Sequence, residues 1–562
     1  MDMIGIASIA PVILIITKNE ILDTNQYALK IKELTNFDNN TLTIFFVSIS
    51  AALIVLNILS RVISTWGDSY VSNKIWHFCV CKLYNYYLNK PYNYHIQNTS
   101  NELLEKITVR ANDGIYEIIS SSYIIIGSFF SLIFITTLLF LVDYKITLIL
   151  SLMILVFYLT IYLKLKRTIS SFGKFMPDFS KKVFKITSQS FRSIKDIKVF
   201  KNYSFYEKKF FDLQDQYRKK AVQMSLVNIT PRSIFEMIAF LTIYSLILFF
   251  LFFKSAALNE IILILGIFAV SLQRVIPAYQ NFYQGISSFK VALPSFEIIY
   301  EDLKNACKTQ LDKKESFDSM NIKLRNNISF KNINFRYLKD NKGKILDIQN
   351  LEIQKKGFIG ITGLSGAGKS TFIDIFCGLL EPDKGEIFID DLEIKSKSYK
   401  NISSKIAYVS QFPFIADDTL INNIALGEVP EKIDIEKVKS SCELVGIKDF
   451  IEKGLSEKYD TNLGEDGIKL SGGQRQRICI ARAIYREKDI LIFDEATNSL
   501  DQISEKKIML GLKNKFRKKL ILFITHRTNS LKLCDEVLVF DKGKINFKGN
   551  YEKLKTQNLS LQ

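Results

Sequence analysis

Gly363-Leu364-Ser365-Gly366-Ala367-Gly368-Lys369-Ser370 is the stretch that decides how this 562-residue chain is read. It matches G-x-x-x-x-G-K-[ST], a phosphate-binding loop. It lies between an apolar strand-like run, Gly357 to Thr362, and a helical stretch from Ser370 to Leu380, the context the motif requires. Gly363, Gly366 and Gly368 allow a tight turn around Ser365 that points backbone N–H groups at phosphate oxygens, and the helix N-terminus adds partial positive charge. Lys369 is expected to reach the β- and γ-phosphates of ATP. Ser370 is expected to place its hydroxyl on Mg²⁺, with Thr371 beside it in the nucleotide site.

Working outward, Asp489-Ile490-Leu491-Ile492-Phe493-Asp494 is an apolar strand ending in a carboxylate, the pattern of an aspartate that holds the metal. Glu495 follows directly and is positioned to polarise an attacking water as the general base. His526 ends another apolar run, Leu522 to Thr525, where it is expected to contact the γ-phosphate or orient the water.

Between these lies Leu470-Ser471-Gly472-Gly473-Gln474, and with it the segment resembles the nucleotide-binding domain of ABC transporters. The resemblance implies that Ser471, Gly472, Gly473 and Gln474 of one subunit cap ATP held by the phosphate loop of another, so two copies of this chain form a homodimer. It also assigns Tyr337 to stacking on adenine, Gln411 to the metal and to coupling, and Ser499-Leu500-Asp501 to the loop that crosses the dimer. Asn498 stands where small residues are common. With Glu495, the signature and His526 all present, nothing marks either site as degenerate.

The front half sets what the ATPase drives. Hydrophobic residues make up 48% of the chain, with 43 Phe, and mean hydropathy is positive, an excess over soluble chains that places part of the protein in lipid. Apolar runs at Thr41–Ser60, Ile118–Val142, Ile146–Leu163, Ile234–Phe253 and Ile261–Ala278 are each near the roughly 20 residues a helix needs to cross a bilayer. Met3–Thr17 is shorter and is read as a first span, with a signal peptide as the competing reading. The first helix looks shortened relative to exporters of this type, which suggests a start further upstream. The expected architecture is multidomain: a six-helix, type I exporter-like α-helical transmembrane domain over 1–304, a linker rich in Lys, Asp, Asn and Ser over 305–326, and an α/β P-loop ABC ATPase domain over 327–562.

Orientation follows from loop charge. Lys164 to Arg232 carries 17 Lys/Arg against 5 Asp/Glu, so the basic loops and the ATPase are expected in the cytoplasm of a multi-pass protein of a bacterial-type inner membrane. Within them, Asn98–Lys106 and Ser190–Phe200 look like the family's intracellular connections, and Gly464-Glu465-Asp466-Gly467 like its exporter-type sensing loop. The net charge of +18 sits largely in loops flanking membrane spans and no nucleic-acid reader motif accompanies it, so no nucleic-acid partner is expected. The seven cysteines lack the spacing of a zinc site and are read as reduced thiols.

Cargo is the least legible property. Pro231-Arg232 with Glu236, Gln273-Arg274-Val275-Ile276-Pro277 and Ser193–Phe200 resemble bacterial flippases for lipid-linked oligosaccharides and polysaccharides. Moving a polyprenyl-pyrophosphate through lipid requires cations that replace water around the phosphates. Arg274, inside a span, is the leading candidate, with Arg232 and Arg61 at helix ends, where interfacial snorkelling is the competing explanation. Peptide, lipopeptide and lipid or drug export are rival cargoes, and a membrane-anchored regulatory ATPase is the rival of another class.

Overall fold

A computed structural model describes residues 38–142, 144–253, 258–312, 324–337, 345–390, 392–394 and 402–556. The chain divides into two compact units, Met1–Lys90 with His95–Ser316, and Pro91–Tyr94 with Phe317–Gln562.

The first unit is helical. Its long helices are α1 (Asn39–Leu88), α3 (Glu117–Val142), α4 (Tyr144–Arg192), α6 (Tyr203–Phe253) and α7 (Leu258–Asp312), with short helices α2 (Ser100–Glu105) and α5 (Ile194–Phe200). Each of the five longer apolar runs falls inside one long helix, while Met3–Thr17 lies outside the described residues. The last helix continues to Asp312, past Asn305 where the linker reading began. Thr99 starts α2 by accepting from the Glu102 N–H, which satisfies one of the free first-turn donors. A left-handed Lys201 at φ 56 ends α5.

Many large apolar side chains in this unit are exposed, Trp66 at 66% and Leu141 at 82%, while Leu83, Ile135 and Ile169 are buried together with Ser50, Asn57, Ser72, Ser121, Glu105 and Arg110. That much exposed apolar surface suits a lipid solvent. Two π-helical turns, Lys106–Arg110 and Asn112–Tyr116, lead into α3. The Arg110 Nε donates to both oxygens of Glu105 at 2.8 and 2.6 Å, and its Nη2 lies 3.5 Å from the Pro177 carbonyl of α4. Gly114 lets α7 approach closely, since a Cβ there would lie 2.9 Å from the Phe296 nitrogen.

The second unit contains two sheets. One is antiparallel around β1 (Asn327–Phe335), flanked by β2 (Leu346–Gln354) and β4 (Lys384–Ile389), with β5 (Leu392–Glu393) at the edge. The other runs β10 (Lys544–Gly549), β9 (Glu536–Asp541), β3 (Gly357–Gly363), β8 (Leu520–Ile524), β7 (Ile490–Asp494), β6 (Ile406–Val409). Its strands β9, β3, β8, β7 and β6 are mutually parallel and β10 is antiparallel. Strands β7 and β8 are buried along their whole length, as a sheet covered on both faces demands, and this explains their unbroken apolar sequences. Helix α8 (Lys369–Phe376) starts in the phosphate loop, α9 (Gly472–Arg486) follows Ser471, and α10 (Gln502–Lys515) follows Asp501.

Candidate nucleotide site

Parallel strands deliver their loops to one edge of a sheet, and ligands bind at those carboxyl ends. Here β3 ends at Gly363, β6 at Val409, β7 at Asp494 and β8 at Ile524, and these strands are neighbours. The phosphate loop, Gln411, Glu495 and His526 therefore emerge side by side, although up to 163 residues separate them along the chain (526 − 363).

At the loop, Gly363 has φ 144 and a Cβ there would strike the Phe540 carbonyl oxygen at 2.1 Å, so only glycine fits. The buried Lys369 folds back, its Nζ donating to the Gly363 and Leu364 carbonyls at 2.7 and 2.9 Å. Burial pulls its pKa below the usual lysine value, opposed by Glu495 and Asp494. Gly368 is the N-cap of α8 and offers no side-chain acceptor to the first-turn N–H groups. A helix start without its own cap, beside a lysine held by carbonyls alone, has donors to spare and fits a polyphosphate. Ser365 and Ser370 are exposed at this point, and Thr371 is buried behind them. Tyr337, half-buried and edge-on to Phe335, has its hydroxyl 3.5 Å from the Thr371 hydroxyl.

The carboxylates are differently supported. Asp494 accepts from the Tyr408 hydroxyl at 3.0 Å, and desolvation raises its pKa despite that bond. Glu495 sits at φ 47, a left-handed conformation that costs a residue with a Cβ roughly 1–2 kcal/mol. Its Oε2 accepts from Gln411 at 2.9 Å and from Asn498 at 2.8 Å, while Oε1 lies 3.1 Å from the His526 Nε2. The side chain is thus gripped from three elements. Sequence reasoning placed Gln411, Glu495 and His526 at one site but missed Tyr408 and Asn498 as partners. The signal for Asn498 was an amide three residues after the glutamate, where small residues are usual.

Ser471 begins α9 with a reciprocal capping box, its hydroxyl accepting from the Gln474 N–H at 3.2 Å and its own N–H donating to Gln474 Oε1 at 2.8 Å. Gly472 and Gly473 lie against Ser499. Asp501 caps α10 through the Ser504 N–H at 2.9 Å, and hydrogen bonding from Ser504 holds its pKa below the usual carboxylate range. Among the described residues, no hydrogen bond joins Ser471–Gln474 to the phosphate loop of the same chain. In the first unit, Arg232 is matched by Glu236 at 2.7 Å on the same helix, Arg61 is exposed on α1, and the side chain of Arg274 lies outside the described residues.

Residues 346–498, spanning the phosphate loop, the signature and both carboxylates, match the family model described as ABC transporter. This region of the chain belongs to the ABC transporter family. Its nucleotide-binding domain is accordingly an ATP-binding ATPase domain. An export ATP-binding/permease protein of Rickettsia typhi is 38% identical over 40% of this chain and 39% of its own length. An ATP-dependent lipid A-core flippase of Shewanella denitrificans is 30% identical over 66% of this chain and 60% of its own, and one of Photobacterium profundum is 28% identical over 89% and 84%. The Rickettsia and Shewanella matches thus span between two fifths and three fifths of those relatives. The ABC transporter fold extends through both units: a bacterial Atm1-family ABC exporter solved with ATP bound superposes with a TM-score of 0.76, at 18% identity, over 100% of this chain and 96% of that one. Among the described residues, the helical stretches Asn39–Leu88 and Ser100–Leu141 of the first unit are long and apolar enough to cross a membrane.

Proposed function

We propose that this chain is half of a homodimeric exporter that couples ATP hydrolysis to moving an amphipathic, phosphate-bearing lipid across a bacterial-type inner membrane, with the ATPase domain in the cytoplasm. The observation that carries the ATP-driven part is the grip on Glu495 by Gln411, Asn498 and His526 at the edge where the phosphate loop emerges. A carboxylate fixed from three sides and free to accept a proton polarises the water that attacks the γ-phosphate, and His526 holds that carboxylate in place. Lys369 exchanges its two carbonyl acceptors for phosphate oxygens, the stronger charge-assisted bonds. Ser370, Gln411 and Asp494 would hold Mg²⁺, which would supply positive charge to neutralise the charge developing on the phosphates.

A second copy supplies Ser471–Gln474, since within one chain these residues make their own capping box and no bond to the phosphate loop among the described residues. ATP favours the dimer closed around two nucleotides, and hydrolysis reopens it. The difference in nucleotide affinity between the two states supplies the coupling free energy.

For cargo, the relatives described as lipid A-core flippases support a lipid or amphipathic substrate, and a lipid-linked oligosaccharide is the specific reading. The test is a panel in proteoliposomes: a labelled polyprenyl-pyrophosphate oligosaccharide, a lipid A analogue, a peptide and a plain phospholipid, each with ATP and Mg²⁺. Movement of the oligosaccharide carrier above the others is expected. Preferential movement of the peptide would remove the lipid reading.

A further inference from the structure

Strand β6 runs parallel to β7, with Tyr408 opposite Ile492 and Val409 opposite Phe493. Side chains alternate between the two faces of a strand, so Tyr408 shares a face with Ile492 and with Asp494 two residues on. On that face Ile406 and Ile492 pack with Phe372, Ile373 and Phe376 of α8, the helix that Lys369 and Ser370 open. Ala407, Val409, Leu491 and Phe493 belong to the separate core on the other face. The register therefore puts a phenol, a strand-end carboxylate and the start of the phosphate-loop helix on one side of the sheet.

The contact is selective. The Tyr408 hydroxyl donates to Asp494 Oδ2 at 3.0 Å, whereas Oδ1 has no hydrogen-bond partner among the described residues. Asp494 is only 6% exposed, and a carboxylate so placed with one bare oxygen is costly unless a cation takes it. Lys369 is close by, but its Nζ is taken by the Gly363 and Leu364 carbonyls. A phenol is a neutral donor, so it fixes the plane of the carboxylate without cancelling its charge, as a lysine or arginine would. Three residues further on, Gln411 donates to Glu495 Oε2 at 2.9 Å. Strand β6 and its exit thus hold both adjacent carboxylates, each through a neutral donor.

We propose that Tyr408 is a positioning residue for the divalent cation of ATP hydrolysis, its hydroxyl fixing Asp494 through Oδ2 so that Oδ1 is left to Mg²⁺. A hydrogen bond behind a metal ligand sets the orientation of that ligand, and its loss weakens the metal rather than the rest of the site. The inference rests on the reading of Asp494 as a metal ligand and adds the group that aims it. The hydroxyl carries the role and the ring does not: Tyr408→Phe keeps the ring, which is 41% exposed, and removes only the donor.

The test uses the full chain in mild detergent and equilibrium binding of fluorescent mant-AMP-PNP, first in EDTA and then with Mg²⁺ added stepwise, for wild type, Tyr408→Phe and Asp494→Asn. Tyr408→Phe is expected to bind the nucleotide in EDTA as wild type does, yet to need about tenfold more Mg²⁺ for the metal-dependent gain in affinity. Steady-state hydrolysis should show the same split, with a half-maximal Mg²⁺ concentration about tenfold higher, a smaller change in kcat, and most of the rate restored by excess Mg²⁺. Asp494→Asn is expected to lose the metal-dependent gain altogether. If it does so while Tyr408→Phe keeps the wild-type requirement, Asp494 holds the metal unaided and the positioning role is overturned. If Asp494→Asn itself keeps the wild-type requirement, the metal reading fails and the proposal fails with it. Equal weakening of Tyr408→Phe with and without Mg²⁺ would mean damage to the site at large, and would overturn the role as well.

Discussion

The two units of this chain solve opposite solvent problems. In the ATPase unit, Leu491, Ile492, Phe493, Leu522 and Phe523 are fully buried and the reactive polar groups gather at a strand edge. In the helical unit many large apolar side chains, Trp66 and Leu141 among them, face out, and a few polar ones, including the Glu105–Arg110 pair, are inside. One unit therefore uses charge for chemistry at its surface and the other uses it to fix packing in its interior. The same residue types carry different costs in the two places.

The largest expected effect lies in the ATPase unit. Glu495→Gln keeps the shape of the side chain and removes the proton acceptor, so ATP hydrolysis is expected to fall by about a thousandfold while ATP remains bound and the dimer stays closed. Hydrolysis at the wild-type rate would show that Glu495 is not the base. Lys369→Ala removes the cation that Gly363 and Leu364 hold ready, and equilibrium binding should show ATP affinity reduced ~100-fold.

The corresponding break in the helical unit is Arg110→Met, which strands the buried Glu105 carboxylate. It is expected to destabilise the chain by about 3–5 kcal/mol, whereas Glu105→Leu/Arg110→Met together should be near neutral. Thermal unfolding followed by fluorescence separates the two outcomes. If both variants melt alike, the pair is not an interior constraint.

Asn498→Ala leaves Glu495 with Gln411 and His526, so a smaller loss is expected, about tenfold in kcat with little change in ATP affinity. An unchanged kcat would make the Asn498 contact incidental. The smallest effect concerns Asp374, whose pKa is pushed up to about 6 by desolvation and then by Asp494. A carboxyl with a raised folded-state pKa binds more protons folded than unfolded, so its contribution becomes less favourable as pH rises from about 4 to about 6. In nucleotide-free, magnesium-free protein, Asp374→Asn should raise the melting temperature by about 1 °C at pH 7.5, and the gain should fade toward pH 4.

How much of this was legible in the sequence differs between the units for a physical reason. Phosphate recognition needs backbone amides and glycines at fixed offsets, so Gly363 to Ser370 could be read by eye, and the strand-end positions of Asp494 and His526 followed from unbroken apolar runs. Asn498 and Tyr408 were not legible. The reach of Asn498 depends on the left-handed turn at Glu495, and that of Tyr408 on which strand lies beside β6. In the helical unit, lipid requires only apolar length, so the spans were visible while the interior pairings were not. Arg232 and Glu236 were both noticed in the sequence, but their pairing at 2.7 Å was not.

The most direct test of the central claim measures hydrolysis and lipid movement in the same vesicles, with wild type and Glu495→Gln reconstituted at equal density and given labelled polyprenyl-pyrophosphate oligosaccharide. Wild type should both hydrolyse ATP and deliver label to the opposite leaflet, and Glu495→Gln should do neither beyond a single turnover while retaining ATP. Wild-type hydrolysis with no movement of any lipid, peptide or glycan carrier offered would contradict coupling to transport and favour a membrane-anchored regulatory ATPase.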